Sequence, residues 1–128
     1  MLPVERVIGE SGLTVAGDRA RVEVRLPWYR SLPLSTVRVE KVAIDGNEVP
    51  LEAATFELGD LSVSVAELEE LTDRFWFVLD SGFVSFPAQL VPGSEHRVDV
   101  TITLFPPYIP GMRRMNSQSE MLAAGVVQ

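Results

Sequence analysis

The sequence contains no cysteine and one histidine among its 128 residues. Without thiols there can be no disulfide, no thiolate nucleophile and no zinc–thiolate site, which fits a reducing compartment. With His96 as the sole imidazole, a metal centre or an acid–base site would have to be assembled almost entirely from carboxylates. Positive charge is also scarce: 11 Lys and Arg stand against 18 Asp and Glu, a net charge of −7. No basic stripe exists to follow a phosphate backbone, so nucleic acid is not an expected partner. No apolar run approaches the ~20 residues of a membrane span, and the opening MLPVERVIGESG has neither the basic nor the apolar region of a secretion signal. The expectation is a cytoplasmic protein with no membrane partner.

Local cofactor signatures are missing as well. There is no Gly-x-Gly-x-x-Gly, P-loop, Gly-x-Ser-x-Gly or calcium loop, so no catalytic residue, metal ligand or cofactor is assigned to this chain. His96 follows a turn and begins a strand, with Glu95 its evident sequence neighbour; a hydrogen-bonded or solvated strand-edge histidine is the reading. The acidic group Glu67, Glu69, Glu70 and Asp73 reads as a solvated helix face.

What the chain does have is alternation. Arg19 to Leu26, RARVEVRL, places Ala20, Val22, Val24 and Leu26 on one face and charged residues on the other. Thr36 to Asp45 alternates Val37 and Val39, then slips phase before Val42 and Ile44, which predicts a bulge at Glu40-Lys41. Asp45-Gly46-Asn47 reads as a hairpin turn leading to Val49. His96 to Phe105 alternates Val98, Val100, Ile102 and Leu104 against polar residues. Further short strands are expected over Val4–Gly9, Leu13–Ala16, Ala54–Leu58, Arg74–Leu79 and Phe83–Phe86. So many short strands without a βαβ rhythm predict an all-β fold, a single antiparallel β-sandwich. One short helix is expected from Val65 to about Thr72, opened by the Ser64-x-x-Glu67 capping box. The prediction is one domain over residues 1–128, with its core over about 4–110. The tail 111–128 is read as irregular, and from Asn116 as mobile or ordered only by a partner.

Aromatic residues raise a different question. Within VRLPWYRSLPLSTV, Pro27 and Pro33 stiffen the chain and hold Trp28, Tyr29 and Arg30 at little entropic cost. These are the residue types most enriched at interface hot spots. Pro106, Pro107 and Pro110 frame Tyr108 and Ile109 in the same way. Two rigid aromatic segments point to a binding surface. Trp76, in Phe75-Trp76-Phe77, is either the core tryptophan or part of a covered outer face.

The segments VRLPWYRSLPLSTV, VAIDGNEVP, FELGDLSVSVAELEELTDRFWFVLD and VPGSEHRVDVTITLFPPYIP, in this order between Arg21 and Pro110, resemble the small β subunit of bacterial C-glycoside deglycosidases. The first twenty residues and those after Gly111 carry no resemblance. The resemblance implies a β-sandwich that assembles with a TIM-barrel α subunit, which binds a divalent metal, typically manganese, and supplies the acid–base residues. The complex would cleave the bond between sugar C1 and the aglycone carbon of a 3-oxo C-glycoside. The 3-oxo group acidifies the C2 proton and so permits elimination of the aryl carbon. This chain would then stabilise the α subunit and shape its substrate entrance. Trp28, Tyr29, Arg30, Trp76, Tyr108 and Ile109 are the expected subunit-interface residues. A stand-alone carbohydrate-binding sandwich is the alternative, since exposed aromatics also stack on sugars.

Overall fold

The computed structural model describes residues 7–126. Among the described residues twelve strands follow one another: β1 (Ile8–Ala16), β2 (Arg19–Arg25), β3 (Leu32–Pro33), β4 (Val37–Ile44), β5 (Asn47–Glu48), β6 (Thr55–Leu58), β7 (Leu61–Ser64), β8 (Phe75–Trp76), β9 (Ser81–Pro87), β10 (Glu95–Leu104), β11 (Arg114–Ala123) and β12 (Gly125–Val126). A six-stranded sheet runs in the order β12-β1-β2-β9-β6-β7, a four-stranded sheet in the order β11-β10-β4-β5, and β3 pairs with β8. The described pairs are antiparallel except β1 with β12. The fold is all-β, as the alternation predicts.

Period two explains the core. Val22, Val24, Phe56, Val84 and Phe86 come from the first sheet, and Val39, Val42, Val98, Val100, Ile102 and Leu104 from the second; all are buried in one cluster. Trp76, Leu32, Leu34 and Leu68 join that cluster from the small sheet and the 3-10 turns. The predicted bulge is present: Thr101 faces Lys41 while Ile102 faces Val39, leaving Glu40 as the extra residue. Its carboxylate accepts a 2.6 Å bond from the hydroxyl of Thr103, which is fully buried. The turn between β4 and β5 has positive φ at both Asp45 (54°) and Gly46 (84°), the hairpin geometry that suits Asp-Gly.

Three expectations are corrected. The tail is not irregular, because β11 pairs with β10 along all ten residues from Arg114 to Ala123. Its core-directed positions are Arg114, Asn116, Gln118, Glu120 and Leu122, so an alternation exists without an apolar signature. The helix is a 3-10 segment ending at Glu70, and Glu67 accepts from both the Ser64 N–H (3.3 Å) and its hydroxyl (3.0 Å). The Arg74–Leu79 strand shrinks to Phe75–Trp76, since the chain turns back at once, with the Asp80 N–H donating to the Phe77 carbonyl. Part of the expected Val4–Gly9 strand lies outside the described residues.

One buried charge shapes the start of the sandwich. Glu23 on β2 is buried, and its carboxylate accepts from the Ser11 N–H (2.8 Å), the Ser11 hydroxyl and the Ser81 hydroxyl (2.6 Å). Burial pushes its pKa up, but the hydrogen bonds from Ser11 and Ser81, with Arg25 nearby, leave it lowered overall. The register of β1 against β2 shifts between Ile8 and Leu13, bringing Ser11 to this carboxylate. Gly9 is required there: a Cβ would lie 2.3 Å from Glu23 Oε2. Gly9→Ala is therefore expected to displace a pinned carboxylate and to lower the unfolding free energy by about 1–3 kcal/mol. Urea denaturation of the variant beside the parent chain measures this directly.

Candidate interaction surface

The two proline-bounded segments, eighty residues apart, meet at one end of the sandwich. The first leaves β2 through Pro27, and the Trp28 N–H turns back to the Leu26 carbonyl at 2.8 Å. The second leaves β10 through Pro106 and Pro107. The Trp28 indole N–H donates to the Tyr108 hydroxyl and so ties them together. The Tyr29 ring lies 5.0 Å from the Trp28 ring, tilted by 37°. The Arg30 guanidinium sits 4.9 Å over the Tyr108 ring, and that of Arg114 5.9 Å over Trp28. A hydrogen bond to Tyr108 raises the pKa of the Tyr29 phenol. Beyond Tyr108, a shallow groove of 430 Å³ runs along Phe105, Pro107, Ile109, Pro110 and Met112 to Arg113.

Burial divides the six expected interface residues. Tyr29 (59% exposed), Arg30, Tyr108 and Ile109 face solvent and form a continuous aromatic and cationic platform. Trp28 is only 7% exposed and serves as the floor that holds Tyr108 in place. Trp76 is 0% exposed, packs edge-on to Phe56 at 5.3 Å and donates its N–H to the Asp80 carbonyl at 2.9 Å. It is the core tryptophan, and the interface expectation for it is corrected: no face of it reaches the surface.

Sequence reasoning missed Phe75, Phe77 and Leu79, which are exposed. Phe75 faces Pro33 across the small sheet, and the Val78 N–H donates to the Ser31 hydroxyl at 3.0 Å. These contacts bring the apolar segment beside Ser31 and Pro33, which follow Arg30 in the chain. The signal was available in the alternation, since burying Trp76 sends both neighbouring phenylalanines outward.

The lone histidine lies far along the sandwich, at the opposite end of β10. His96 Nδ1 is 2.6 Å from Asp45 Oδ2, and its Nε2 is 2.7 Å from the Ser94 hydroxyl. This connectivity is that of a hydrolytic triad, but the Ser94 hydroxyl donates to the Val91 carbonyl at 2.5 Å, which occupies the proton a nucleophile would pass to histidine. The arrangement works as a clasp, fastening the β4–β5 turn to the start of β10, with the Arg97 N–H on Asp45 Oδ1 at 2.9 Å. The acidic residues of the 3-10 segment do not converge: Glu67 binds Ser64, and Glu69 pairs with Arg38 at 3.2 Å. Among the described residues, no group of three or more His, Asp or Glu is placed to hold a metal ion. Among the same residues, no helix is long and apolar enough to cross a membrane.

The chain is thus an all-β domain that displays an aromatic–arginine platform. Comparison with known proteins narrows the class. The family model of the C-glycoside deglycosidase beta subunit matches residues 15–108. A C-glycoside deglycosidase beta subunit from Microbacterium trichothecenolyticum is 39% identical over 109 residues, covering 85% of this chain and 82% of that one. A 3'-dehydrocarminate deglycosidase beta subunit from a Microbacterium species is 33% identical over 116 residues, covering 91% and 88%. A C-glycoside deglycosidase beta subunit from Arthrobacter globiformis is 35% identical over 106 residues, covering 82% and 81%. This chain belongs to the C-glycoside deglycosidase β-subunit family, and is thus one subunit of a heteromeric deglycosidase.

Two predictions follow from these placements. Trp28→Ala removes a nearly buried indole and is expected to cost about 3–5 kcal/mol of stability, whereas the exposed Tyr29→Ala should stay within about 0.5 kcal/mol; paired denaturant titrations decide. The hydrogen bonds from His96 and from the Arg97 N–H lower the pKa of Asp45 below its ordinary 3.8. A carboxylate lowered in the folded state adds stability that is complete above that ordinary value and is lost as pH falls through the folded one. Asp45→Asn should therefore flatten the acid limb of the stability–pH curve below about pH 4, read as the difference between variant and parent urea midpoints.

Proposed function

We propose that this chain is the accessory, non-catalytic subunit of an enzyme that cleaves the C1–aglycone carbon–carbon bond of 3-oxo C-glycosides. Its partner is a larger TIM-barrel subunit that holds a divalent metal, with manganese the expected ion, and provides the acid–base groups. On that subunit the 3-oxo group acidifies C2–H, and loss of this proton drives out the aryl carbon, which is protonated as it leaves. The observation that carries the reading is the pairing of family membership with a chain whose clustered surface residues, Tyr29, Arg30, Tyr108 and Ile109, suit docking. The described residues offer no ligand set, so no catalytic step is derived through a metal on this chain.

The platform suits a partner surface for physical reasons. Proline fixes both segments before contact, so little chain entropy is lost on docking. The aromatic rings supply apolar area, and Arg30 supplies donors for a carboxylate or carbonyl on the other subunit. Contact here would stabilise the barrel's loops and shape the path by which substrate enters. The name of the 3'-dehydrocarminate relative fits a substrate class oxidised on the sugar.

Co-expression with the larger subunit, with a tag on this chain alone, tests the reading. The two chains should co-purify and release aglycone from a 3-oxo C-glucoside in the presence of manganese. Arg30→Glu or Ile109→Asp should weaken assembly about tenfold or more, while the circular dichroism of the isolated chain stays unchanged. A larger subunit that is fully active alone would overturn the accessory role. Undiminished co-purification of both variants would move the interface elsewhere. Sugar binding by the isolated chain without any assembly would favour the carbohydrate-binding alternative.

A further inference from the structure

Strand β11 closes one side of the four-stranded sheet. β10 pairs along one edge of it over ten unbroken positions, and among the described residues no strand pairs along the other. Proteins usually blunt such an edge with proline, a bulge or charge. β11 has no proline and its register with β10 does not shift; its charged residues, Arg114 and Glu120, lie on the core-directed row, and the side chains on its solvent face are Met115, Ser117, Ser119 and Met121. Both methionines are 59% exposed.

The order of these side chains identifies what fits the edge. Residues 115–121 read MNSQSEM, which is the same in both directions about Gln118 apart from Asn116 against Glu120. When two identical strands pair antiparallel across a two-fold axis at Gln118, each residue faces the one equally distant on the other side. Met115 then faces Met121 of the second copy, Ser117 faces Ser119, and Asn116 faces Glu120. Both solvent faces and both core faces stay in phase, as a sheet register demands. A two-fold interface requires self-complementarity, whereas pairing with an unrelated strand places no palindromic demand on this one.

We propose that this chain forms a two-fold dimer through β11, joining two four-stranded sheets into one sheet of eight strands. Cross-strand Met–Met contacts supply the apolar area, and the hydroxyl row begun by Thr101 and Ser117, 2.8 Å apart, continues into the second copy. The inference uses neither the aromatic platform nor the larger subunit, so either can fail without the other.

The test is the mass of the full chain by sedimentation velocity across a concentration series, with a dimer of the 14.1 kDa chain expected. Two variants carry the register. Ser117→Lys/Ser119→Lys sets lysine against lysine at both symmetric pairs and should weaken the dimer at least several-fold. Ser117→Lys/Ser119→Glu sets lysine against glutamate at the same pairs and should retain it. Both substitutions are on exposed positions, and circular dichroism checks that each variant folds. A parent chain that stays monomeric at all concentrations overturns the proposal, as do two variants that associate alike. Loss of the larger subunit from the Lys/Lys variant, with no homodimer in the parent, assigns the edge to a different chain and overturns it too.

Discussion

Strand β10 is the member on which the rest of the structure depends. It lies between β4 and β11, buries Val98, Val100, Ile102 and Leu104 against the opposite sheet, and ends in the proline pair that aims Tyr108. Its two ends carry two polar constructions: the His96 clasp at the start and the Trp28–Tyr108 contact beyond the finish. A rigid strand of ten residues spans about 33 Å, so these constructions are held apart and cannot share a site.

The chemistry of the surface follows from that separation. The clasp spends its imidazole, carboxylate and hydroxyl on fastening turns. At the other end, Arg30 and Arg114 lie over aromatic rings, so cationic groups are displayed on apolar supports in a chain of net charge −7. Membership of the β-subunit family makes this chain one subunit of a deglycosidase.

Legibility in the sequence tracked how completely a segment is buried on one face. β2, β4 and β10 were readable because one side of each meets the core, and the bulge at Glu40 showed itself as a phase slip. β11 was not readable, because an edge strand can direct Asn116, Gln118 and Glu120 at the rim of the core without apolar cover. The two tryptophans illustrate a second limit. Residue type suggested a surface role for Trp28 and left Trp76 open between core and covered face, yet each found a hydrogen-bond acceptor within the chain and could be buried. The two proline-bounded aromatic segments were legible; that they meet at one end of the sandwich, with Trp28 as floor and Tyr29 exposed, was not, because the contact joins residues eighty positions apart.

Gln118 has a consequence for how the chain comes into being. Its side-chain oxygen accepts from the N–H groups of both Val7 (2.8 Å) and Ile8 (2.9 Å), doing for the start of β1 what a neighbouring strand's carbonyl would do. Val7 and Gln118 are separated by 111 positions. The rest of β1 pairs locally with β2, but the amides of Val7 and Ile8 stay satisfied by water until β11 has docked. Loop closure over such a span makes this a late event in folding. The sandwich stays open along the side that β11 covers until that strand docks, so the tie between β1 and β11 is one that local pairing cannot make.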